Sequence, residues 1–280
     1  MKTLLGGRSL KTIAGAVFDP RHYRAAKNML LKYPRPFDGM VRYLFATGDY
    51  PTSITIKTPT GNITATIYSH DDMLTVNEIF CREDYRCPSH CKTIVDFGSN
   101  IGISALYFLS RCPDAFVYLF EPLPQNAERL RKNLRGFENR YEFFQTAVAL
   151  TTGEVEFGYD ETGRYGGIGI AHKKKIRVPC RSANEILNEL IIRRGDIDVL
   201  KIDIESLEKE ILLSLPDCVL RRIKNIFLET KPMFTANPLA PTHGLYRYGN
   251  VARFHIIRSE PFPDRLGAPV DMLGGVGSEK

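Results

Sequence analysis

Acidic side chains stand where predicted buried strands end, and their spacing suits a nucleotide-like ligand. The segment D-F-G-S-N-I-G at 96–102 follows a short apolar strand and opens a helix. Glycine in such a turn permits positive φ and lets a ligand approach the backbone closely. The turn departs from the G-x-G-x-x-G of nicotinamide enzymes, and the carboxylate of Asp96 would repel a pyrophosphate. The motif favours a cationic ligand, whose amine Asp96 would bind directly or through water.

Further acidic residues follow three other predicted strands. Glu121 lies about 20 residues beyond the glycine turn, a position that suits a bidentate hydrogen bond to ribose hydroxyls. Asp203 and Glu205 end an apolar strand, where such a pair could hold an amine, accept a substrate proton or bind a cation. The alternative for this segment is a helix cap with Ser206 as the N-cap residue. Glu229 ends the next strand in the corresponding position.

Strands that alternate with helices must position these side chains. The alternation from residue 93 onward predicts a mostly parallel, doubly wound sheet, in which ligands lie at the carboxyl ends of the strands. The predicted strands are 93–97, 115–120, 141–149, 198–204 and 225–229, and the predicted helices are 101–111, 124–135, 182–193 and 206–215. Strands at 154–159 and 176–180 form an added hairpin around a glycine-rich excursion, in which Tyr165 could close over the site.

The segment before residue 90 is predicted to form a separate cap. Two helices within 19–47 are separated by prolines, a β-hairpin covers 52–68, and a helix over 71–81 begins at Asp71 or Asp72. The predicted division is a helical and hairpin cap at 1–90, a ligand-binding core at 91–260 and a partly disordered tail at 261–280.

Composition and charge restrict the class of protein. The chain has 280 residues and no apolar run approaching the roughly 20 residues of a membrane-spanning helix, which favours a cytoplasmic protein. The net charge of +6 arises within residues 1–50, which indicates a solvated basic face or, as the alternative, a surface for an anionic partner. Cys87 and Cys91 could suggest a metal, but they lack C-x-x-C spacing and a second pair, so they are predicted to be reduced structural thiols.

Four short segments resemble the FkbM family of methyltransferases. They are T-I-V-D-F-G-S-N-I-G at 93–102, F-E-P at 120–122, T-A-V-A at 146–149 and L-K-I-D-I-E at 200–205. The resemblance covers about residues 70–230. It implies an α/β class I methyltransferase fold, with a mostly parallel seven-stranded doubly wound sheet and an N-terminal helix and hairpin extension. It also implies S-adenosylmethionine as the cofactor and O-methylation of small molecules, natural products, sugars or glycolipids.

The resemblance assigns roles to residues of the cofactor site. It implies that Asp96, Gly98, Asn100 and Gly102 line the methionine end, that Glu121 holds the ribose and that Ala147 lies near the adenine. The remaining residues assigned to this site are Ser99, Pro122, Asp203 and Glu78. The chain departs from the usual family pattern at Ser206, where glycine is common, and at S-A-N in 182–184, where T-L-D is frequent. Both departures concern the acceptor side.

The acceptor side has several candidate residues. A hydroxyl acceptor needs a general base, and the candidates are Glu205, which we prefer, Asp203, His243, Glu229 and His172. Tyr165 and Glu229 are assigned to the substrate. No metal site is assigned, although a divalent ion held by Asp203, Glu205 and Glu229 is left open.

Three other functions compete with this interpretation. An RNA methyltransferase would use the basic N-terminus, but the chain lacks an N-P-P-Y-type tetrapeptide and clustered aromatics, which disfavours a nucleic-acid partner. A non-catalytic binding protein would not need the acidic residues at 96, 121, 203 and 205. A nicotinamide dehydrogenase is disfavoured by the glycine spacing. A homodimer remains open as the oligomeric state.

Overall fold

A seven-stranded sheet forms the centre of the chain. The computed structural model describes residues 4–5, 8–9, 20–229 and 234–257, so the predicted tail at 261–280 lies outside the described residues. The strands are β1 (Leu4–Leu5), β2 (Arg8–Ser9), β3 (Thr52–Thr58), β4 (Gly61–Ile67), β5 (Thr93–Phe97), β6 (Phe116–Phe120), β7 (Tyr141–Phe144), β8 (Ala147–Ala149), β9 (Gly153–Tyr159), β10 (Gly166–Ile168), β11 (Lys174–Ser182), β12 (Val199–Ile202), β13 (Asn225–Glu229), β14 (His243–Tyr248) and β15 (Val251–Ile256).

Helices flank this sheet on both faces, and three additional α-helices of the described residues precede its first strand in the chain. The α-helices are α1 (Pro20–Lys32), α2 (Pro36–Phe45), α3 (His70–Val76), α4 (Ile103–Arg111), α5 (Pro124–Asn133), α6 (Ala183–Arg194), α7 (Glu208–Ser214) and α8 (Asp217–Leu220). A π-helical segment at Asn77–Arg82 continues α3, and a 3₁₀ turn lies at Glu138–Arg140. The helices and strands predicted for 19–68 are confirmed within one or two residues of their ends.

The strand order is β14-β15-β13-β12-β5-β6-β7. Strands β13, β12, β5, β6 and β7 are parallel to one another, whereas β15 pairs antiparallel with β13 and β14 antiparallel with β15. The chain runs outward from β5 to β7 and then returns to place β12 on the other side of β5. The predicted class I methyltransferase fold is confirmed, and the point where the order reverses, between β5 and β12, is where such sheets bind ligands.

Burial explains why the central strands are almost uniformly apolar. Every residue of β5 and β12 is buried, as expected for parallel strands covered on both faces. One hydrophobic cluster, on the face of α4, also includes Ala25 and Met29 of α1, so the predicted cap packs onto the core. The second cluster lies on the face of α6, α7 and α8.

Asn133, at the end of α5, fastens the β3–β4 hairpin to the core. Its side-chain oxygen accepts a hydrogen bond from the amide of Thr66 at 2.8 Å, and its Nδ2 donates to the carbonyls of Thr66 at 3.1 Å and Ile101 at 2.9 Å. Within the N-terminal layer, which comprises residues 20–90, Lys32 Nζ donates to the carbonyl of Phe80 at 2.7 Å. These bonds give hydrogen-bond partners to main-chain amides and carbonyls that would otherwise need a water molecule as their partner.

Several predicted elements differ from the structure. The predicted strand 141–149 is two strands, because the chain leaves the central sheet after β7 and β8 joins a separate sheet of order β10-β9-β11-β8. The helix predicted from residue 71 is capped by Ser69, whose Oγ accepts from the amide of Asp72 while Asp72 Oδ2 accepts from the amide of Ser69. Ser206 does not cap α7, whose N-cap position is Leu207. Strands β14 and β15 had no sequence signal that we recognised.

No helix in the described part of the chain has the length and apolar character that crossing a membrane requires.

Candidate active site

The glycine turn after β5 brings three strand ends together. Gly98 has φ +83°, and a Cβ atom built on it would lie 1.8 Å from the carbonyl oxygen of Asp203. The amides of Gly98 and Ser99 both donate to the carbonyl of Phe120 at 3.0 Å. Glycine is required here because β5 and β12 approach each other more closely than any side chain allows.

Asp96 is completely buried and does not line the cavity described below. Its Oδ2 accepts from Ser104 Oγ at 2.5 Å, and its Oδ1 accepts from Lys201 Nζ at 3.0 Å. Both oxygens are therefore engaged by the protein. A buried carboxylate needs a charged partner, and Lys201 supplies it. The predicted contact of Asp96 with a ligand amine, directly or through water, stays a prediction.

Lys201 is the functional residue that sequence reasoning missed. It lies in β12 directly opposite Asp96, and its Nζ also donates to the carbonyl of Gly98 at 3.0 Å and lies 3.2 Å from Asp203 Oδ2. Burial alone would lower the pKa of Lys201, but Asp203 and Asp96 raise it above its usual value, so the ammonium stays charged. A lysine inside an otherwise apolar strand was the available signal.

A cavity of about 290 Å³ opens at the carboxyl ends of β5, β6, β12 and β13. Most of the predicted site residues line it: Gly98, Ser99, Asn100, Glu121, Pro122, Ala147, Asp203, Glu78, Glu205, Tyr165 and Glu229. Gly102 does not. It begins α4 with φ +86°, and a Cβ atom there would lie 3.2 Å from Leu130 Cγ of α5, so its role is helix packing.

Glu121 is held in place by three N–H donors. Its Oε1 accepts from the amide of Leu123 at 3.0 Å and from Asn126 Nδ2 at 3.2 Å, while its Oε2 accepts from the amide of Asn100 at 3.1 Å. Burial is the main reason that the pKa of Glu121 rises to about 7, against the opposing effect of these bonds. The carboxylate is fixed in direction and keeps acceptor capacity for a ligand.

The glycine-rich excursion between β9 and β10 closes one side of the cavity. Asn126 Nδ2 donates to the carbonyl of Gly163 at 2.7 Å, and Asn100 Nδ2 donates to the carbonyl of Arg164 at 3.2 Å. The guanidinium of Arg164 donates to Thr75 Oγ1 and to the carbonyl of Asp71 on α3. The excursion thus bridges the glycine turn and the N-terminal layer.

Four buried polar atoms around the cavity have no hydrogen-bond partner within the protein. They are Asn100 Oδ1, Asn126 Oδ1, Arg164 Nε and Ser206 Oγ. Buried polar groups are normally paired, and each unpaired group costs about 1–3 kcal/mol. A polar ligand in the cavity would supply partners of both kinds, acceptors for Arg164 and donors for the amide oxygens.

Acidic groups crowd the other end of the cavity. Tyr85, which is buried, places its hydroxyl 3.4 Å from Asp203 Oδ2 and 3.3 Å from Glu229 Oε2. Burial, and then the neighbouring charge of Asp203, raises the pKa of Glu229 to about 8. Glu205 stands at the rim with φ +68°, and partial desolvation together with Asp203 and Glu208 raises its pKa to about 7. These carboxyls lack enough neighbouring positive charge to stay fully ionised.

His243 is in the wrong place to act as a base in this cavity. It is fully buried at the start of β14, and its ring nitrogens contact the carbonyl of Ile223 at 3.0 Å and Thr242 Oγ1 at 3.1 Å. Desolvation lowers its pKa. His243 is absent from the cavity lining, and so is His172. Among the described residues, the carboxylates of Asp203, Glu205 and Glu229 do not form a group close enough to bind one metal ion together.

An acid-lined cavity lies between β5 and β12, where the strand order reverses, and this fold and site are those of a methyltransferase. The model of the methyltransferase FkbM domain matches residues 96–244, which is just over half of the chain. The chain belongs to this family.

The chain is also similar to several known proteins. The antimetabolite synthetase AmbE of Pseudomonas aeruginosa is 27% identical over 60% of this chain, although the match spans only 10% of AmbE. The methyltransferase sdnD of Sordaria araneosa is 25% identical over 55% of this chain and 72% of its own length. The 2-O-methyltransferase NoeI of Sinorhizobium fredii is 38% identical over 23% of this chain and 26% of its own. A solved FkbM methyltransferase from Methylobacillus flagellatus aligns with a TM-score of 0.40 at 14% identity, covering 66% of this chain and 54% of that one.

Proposed function

We propose that this enzyme transfers the methyl group of S-adenosylmethionine to a hydroxyl of a small molecule, sugar or other natural product. The observation that carries the donor half is Glu121, a buried carboxylate fixed by three N–H donors at the end of β6. A carboxylate after the second strand of such a sheet suits the two hydroxyls of a ribose. The position of Ala147 in the cavity lining is compatible with the adenine beyond it.

The charge of the cavity supports a cationic ligand. Glu78, Glu205 and Glu229 all have raised pKa values, for which burial is the main cause and Asp203 a contributing one. A ligand that carries an ammonium and a sulfonium would lower these pKa values again and bind more tightly for that reason. The unpaired atoms of Asn100, Asn126, Arg164 and Ser206 line the same space. The residues therefore fit this cofactor.

Proton transfer is the chemistry that the protein itself must supply. When bound, S-adenosylmethionine provides a methyl group already activated for transfer. The carboxyls of Glu205 and Glu229, with pKa values of about 7 and about 8, are suited to accept the acceptor hydroxyl's proton near neutral pH. Tyr85 orients Glu229 by hydrogen bonding to it. The excursion at Arg164 covers one side of the cavity and would limit the access of water, which could otherwise compete as the acceptor.

Two arguments support a hydroxyl as the acceptor: the general base that an alcohol needs, and the similarity of this chain to an O-methyltransferase. An alcohol needs a base, and the cavity offers two carboxyls with suitable pKa values. NoeI is called a 2-O-methyltransferase, and it is similar to this chain over a short stretch only.

Calorimetry tests the donor. We expect S-adenosylmethionine and S-adenosylhomocysteine to bind and NAD not to bind. Glu121→Ala should weaken S-adenosylmethionine binding by roughly 100- to 10,000-fold, the cost of two charged hydrogen bonds at about 1.5–3 kcal/mol each. Glu128→Ala, an exposed glutamate on α5, is the matched control. Binding of NAD alone, or equal affinity in both variants, would refute the donor assignment.

A labelled-methyl assay tests the acceptor. The purified enzyme, S-adenosylmethionine with an isotopically labelled methyl group and a panel of glycosides and polyols should yield a methyl ether that mass spectrometry locates on oxygen. The same panel includes amines and thiols. Methylation confined to nitrogen or sulfur would refute the hydroxyl specificity while leaving the donor assignment intact.

A further inference from the structure

Three buried cysteines meet at the end of the sheet opposite the cavity. Cys87 and Cys91 lie in the segment that leads into β5, and Cys112 directly follows α4. Their three sulfur atoms all lie within 4.8 Å of one another. The segment C-P-S-H-C shows only two of these sulfurs, and the third is contributed from 21 residues farther along the chain, so sequence spacing could not disclose the group.

We propose that Cys87, Cys91 and Cys112 form a structural zinc site. Tetrahedral Zn²⁺ binds thiolates at about 2.3 Å, which places neighbouring sulfurs about 3.8 Å apart. The Cys87 and Cys112 sulfurs are separated by 3.8 Å. Three thiolates supply three of the four positions, and because the described residues bring no fourth Cys, His, Asp or Glu side chain into this group, the fourth position would be left to water.

The distances between the sulfur atoms distinguish this site from a disulfide. A disulfide needs sulfurs about 2.05 Å apart, and it would leave one thiol of the three without a role. All three cysteines are free and buried in this structure, whereas Cys218 is exposed. Thiolate clusters select soft or borderline ions such as Zn²⁺ over Mg²⁺ or Ca²⁺.

The surrounding charges suit a bound cation with three thiolates. Cys112 stands at the C-terminus of α4, where the helix dipole presents partial negative charge and favours a cation. The complex of Zn²⁺ with three thiolates carries one net negative charge. Arg111 is positioned against it, since its Nε donates to the carbonyl of Cys87 at 2.7 Å. The guanidinium thereby balances the remaining charge.

The site would hold in place the segment that supplies one wall of the cavity. Tyr85, which hydrogen bonds to Asp203 and Glu229, is two residues before Cys87. Fixing Cys87 and Cys91 to the end of α4 limits the freedom of Tyr85 without any contact between the ion and the cavity. The inference concerns chain architecture and does not depend on which donor or acceptor the enzyme uses.

Metal content tests the site directly. The full chain, purified under reducing conditions and supplied with Zn²⁺, should retain about one zinc per chain after dialysis, measured by plasma mass spectrometry. Cys112→Ser should lose that zinc, whereas Cys180→Ser, which replaces a buried cysteine elsewhere, should keep it. Zinc retained by Cys112→Ser, or absent from the wild type, would overturn the proposal.

A second measurement needs no variant, in case Cys112→Ser does not fold. The wild-type chain titrated with Co²⁺ should develop thiolate-to-cobalt charge-transfer absorption in the near ultraviolet that Zn²⁺ abolishes. Absence of that absorption in folded protein would overturn the site. So would a non-reducing mass spectrum in which the freshly purified chain has lost two hydrogens and yields a cross-linked peptide containing Cys87 and Cys112.

Discussion

The Glu121→Gln substitution should stabilise the ligand-free enzyme at alkaline pH and destabilise it at acid pH. The pKa of Glu121 is raised, chiefly by burial, to about 7 from an ordinary value of 4.5. Because the folded pKa exceeds the unfolded one, protonation stabilises the fold fully below pH 4.5, and this contribution disappears as the pH rises through 7. Glutamine carries no charge to desolvate and therefore has no such pH dependence.

The magnitude follows from the size of the pKa change. At about 1.4 kcal/mol per pKa unit, the wild type should lose about 3 kcal/mol of unfolding free energy from this group between about pH 4.5 and about pH 8.5. Glutamine cannot reproduce all three bonds, since its NH₂ group would face one N–H donor, at a cost of about 1 kcal/mol. The variant should be more stable by roughly 1–2 kcal/mol at pH 8.5 and less stable by about 1 kcal/mol at acid pH.

Urea unfolding at both ends of this pH range measures the effect. The two stability curves should cross, and the difference between wild type and variant should change by about 3 kcal/mol. The other titrating carboxyls are common to both proteins and cancel in this difference. Glu128→Gln, the exposed control on α5, should give parallel curves. A difference for Glu121→Gln that stays constant with pH would show that its carboxyl does not titrate in this range.

Three further substitutions test the positioning of the site. Gly98→Ala should unfold the protein or cost about 4 kcal/mol by urea unfolding, because the new Cβ would meet the carbonyl of Asp203 at 1.8 Å. Lys201→Met should cost about 3–5 kcal/mol by urea unfolding at neutral pH, because the buried carboxylate of Asp96 loses its charged partner. Arg164→Ala should speed amide hydrogen exchange in residues 160–166 by roughly 10-fold, because its bonds to α3 are lost.

Each of these expectations has a result that contradicts it. Wild-type stability of Gly98→Ala would mean that β5 and β12 lie farther apart than described. Wild-type stability of Lys201→Met would mean that the buried carboxylate of Asp96 does not depend on this ion pair. Unchanged exchange at 160–166 in Arg164→Ala would mean that the bonds from Asn100, Asn126 and Arg129 are sufficient to hold the excursion.

Strand-end residues were predictable from the sequence because topology fixes where parallel strands end. Glu121, Asp203, Glu205 and Glu229 were expected at one edge of the sheet, and all four line the cavity. Their roles in binding and catalysis remain predictions, since position alone does not reveal which ligand each contacts.

Features that depend on pairing register were not predictable. Asp96 was expected to face the ligand, but the register of β5 against β12 places it opposite Lys201, which takes up its charge. The split of 141–149 into β7 and β8 depends on which sheet the chain joins after Phe144. The meeting of Cys112 with the C-P-S-H-C segment depends on where α4 ends. None of these is visible in local apolar periodicity.

The bonds that hold the N-terminal layer against the core leave its side chains free to diverge. Asn133 contacts Thr66 through the amide and carbonyl of the main chain, and Lys32 contacts the carbonyl of Phe80 as well as the carboxylate of Glu83. Any residue except proline could stand at position 66 without loss of the bonds to Asn133. Leu74, Glu78 and Tyr85 contribute to the cavity wall from this layer, upstream of the family match that begins at residue 96. Relatives could therefore differ in the cavity surface that this layer contributes while its attachment through Asn133 stays as it is.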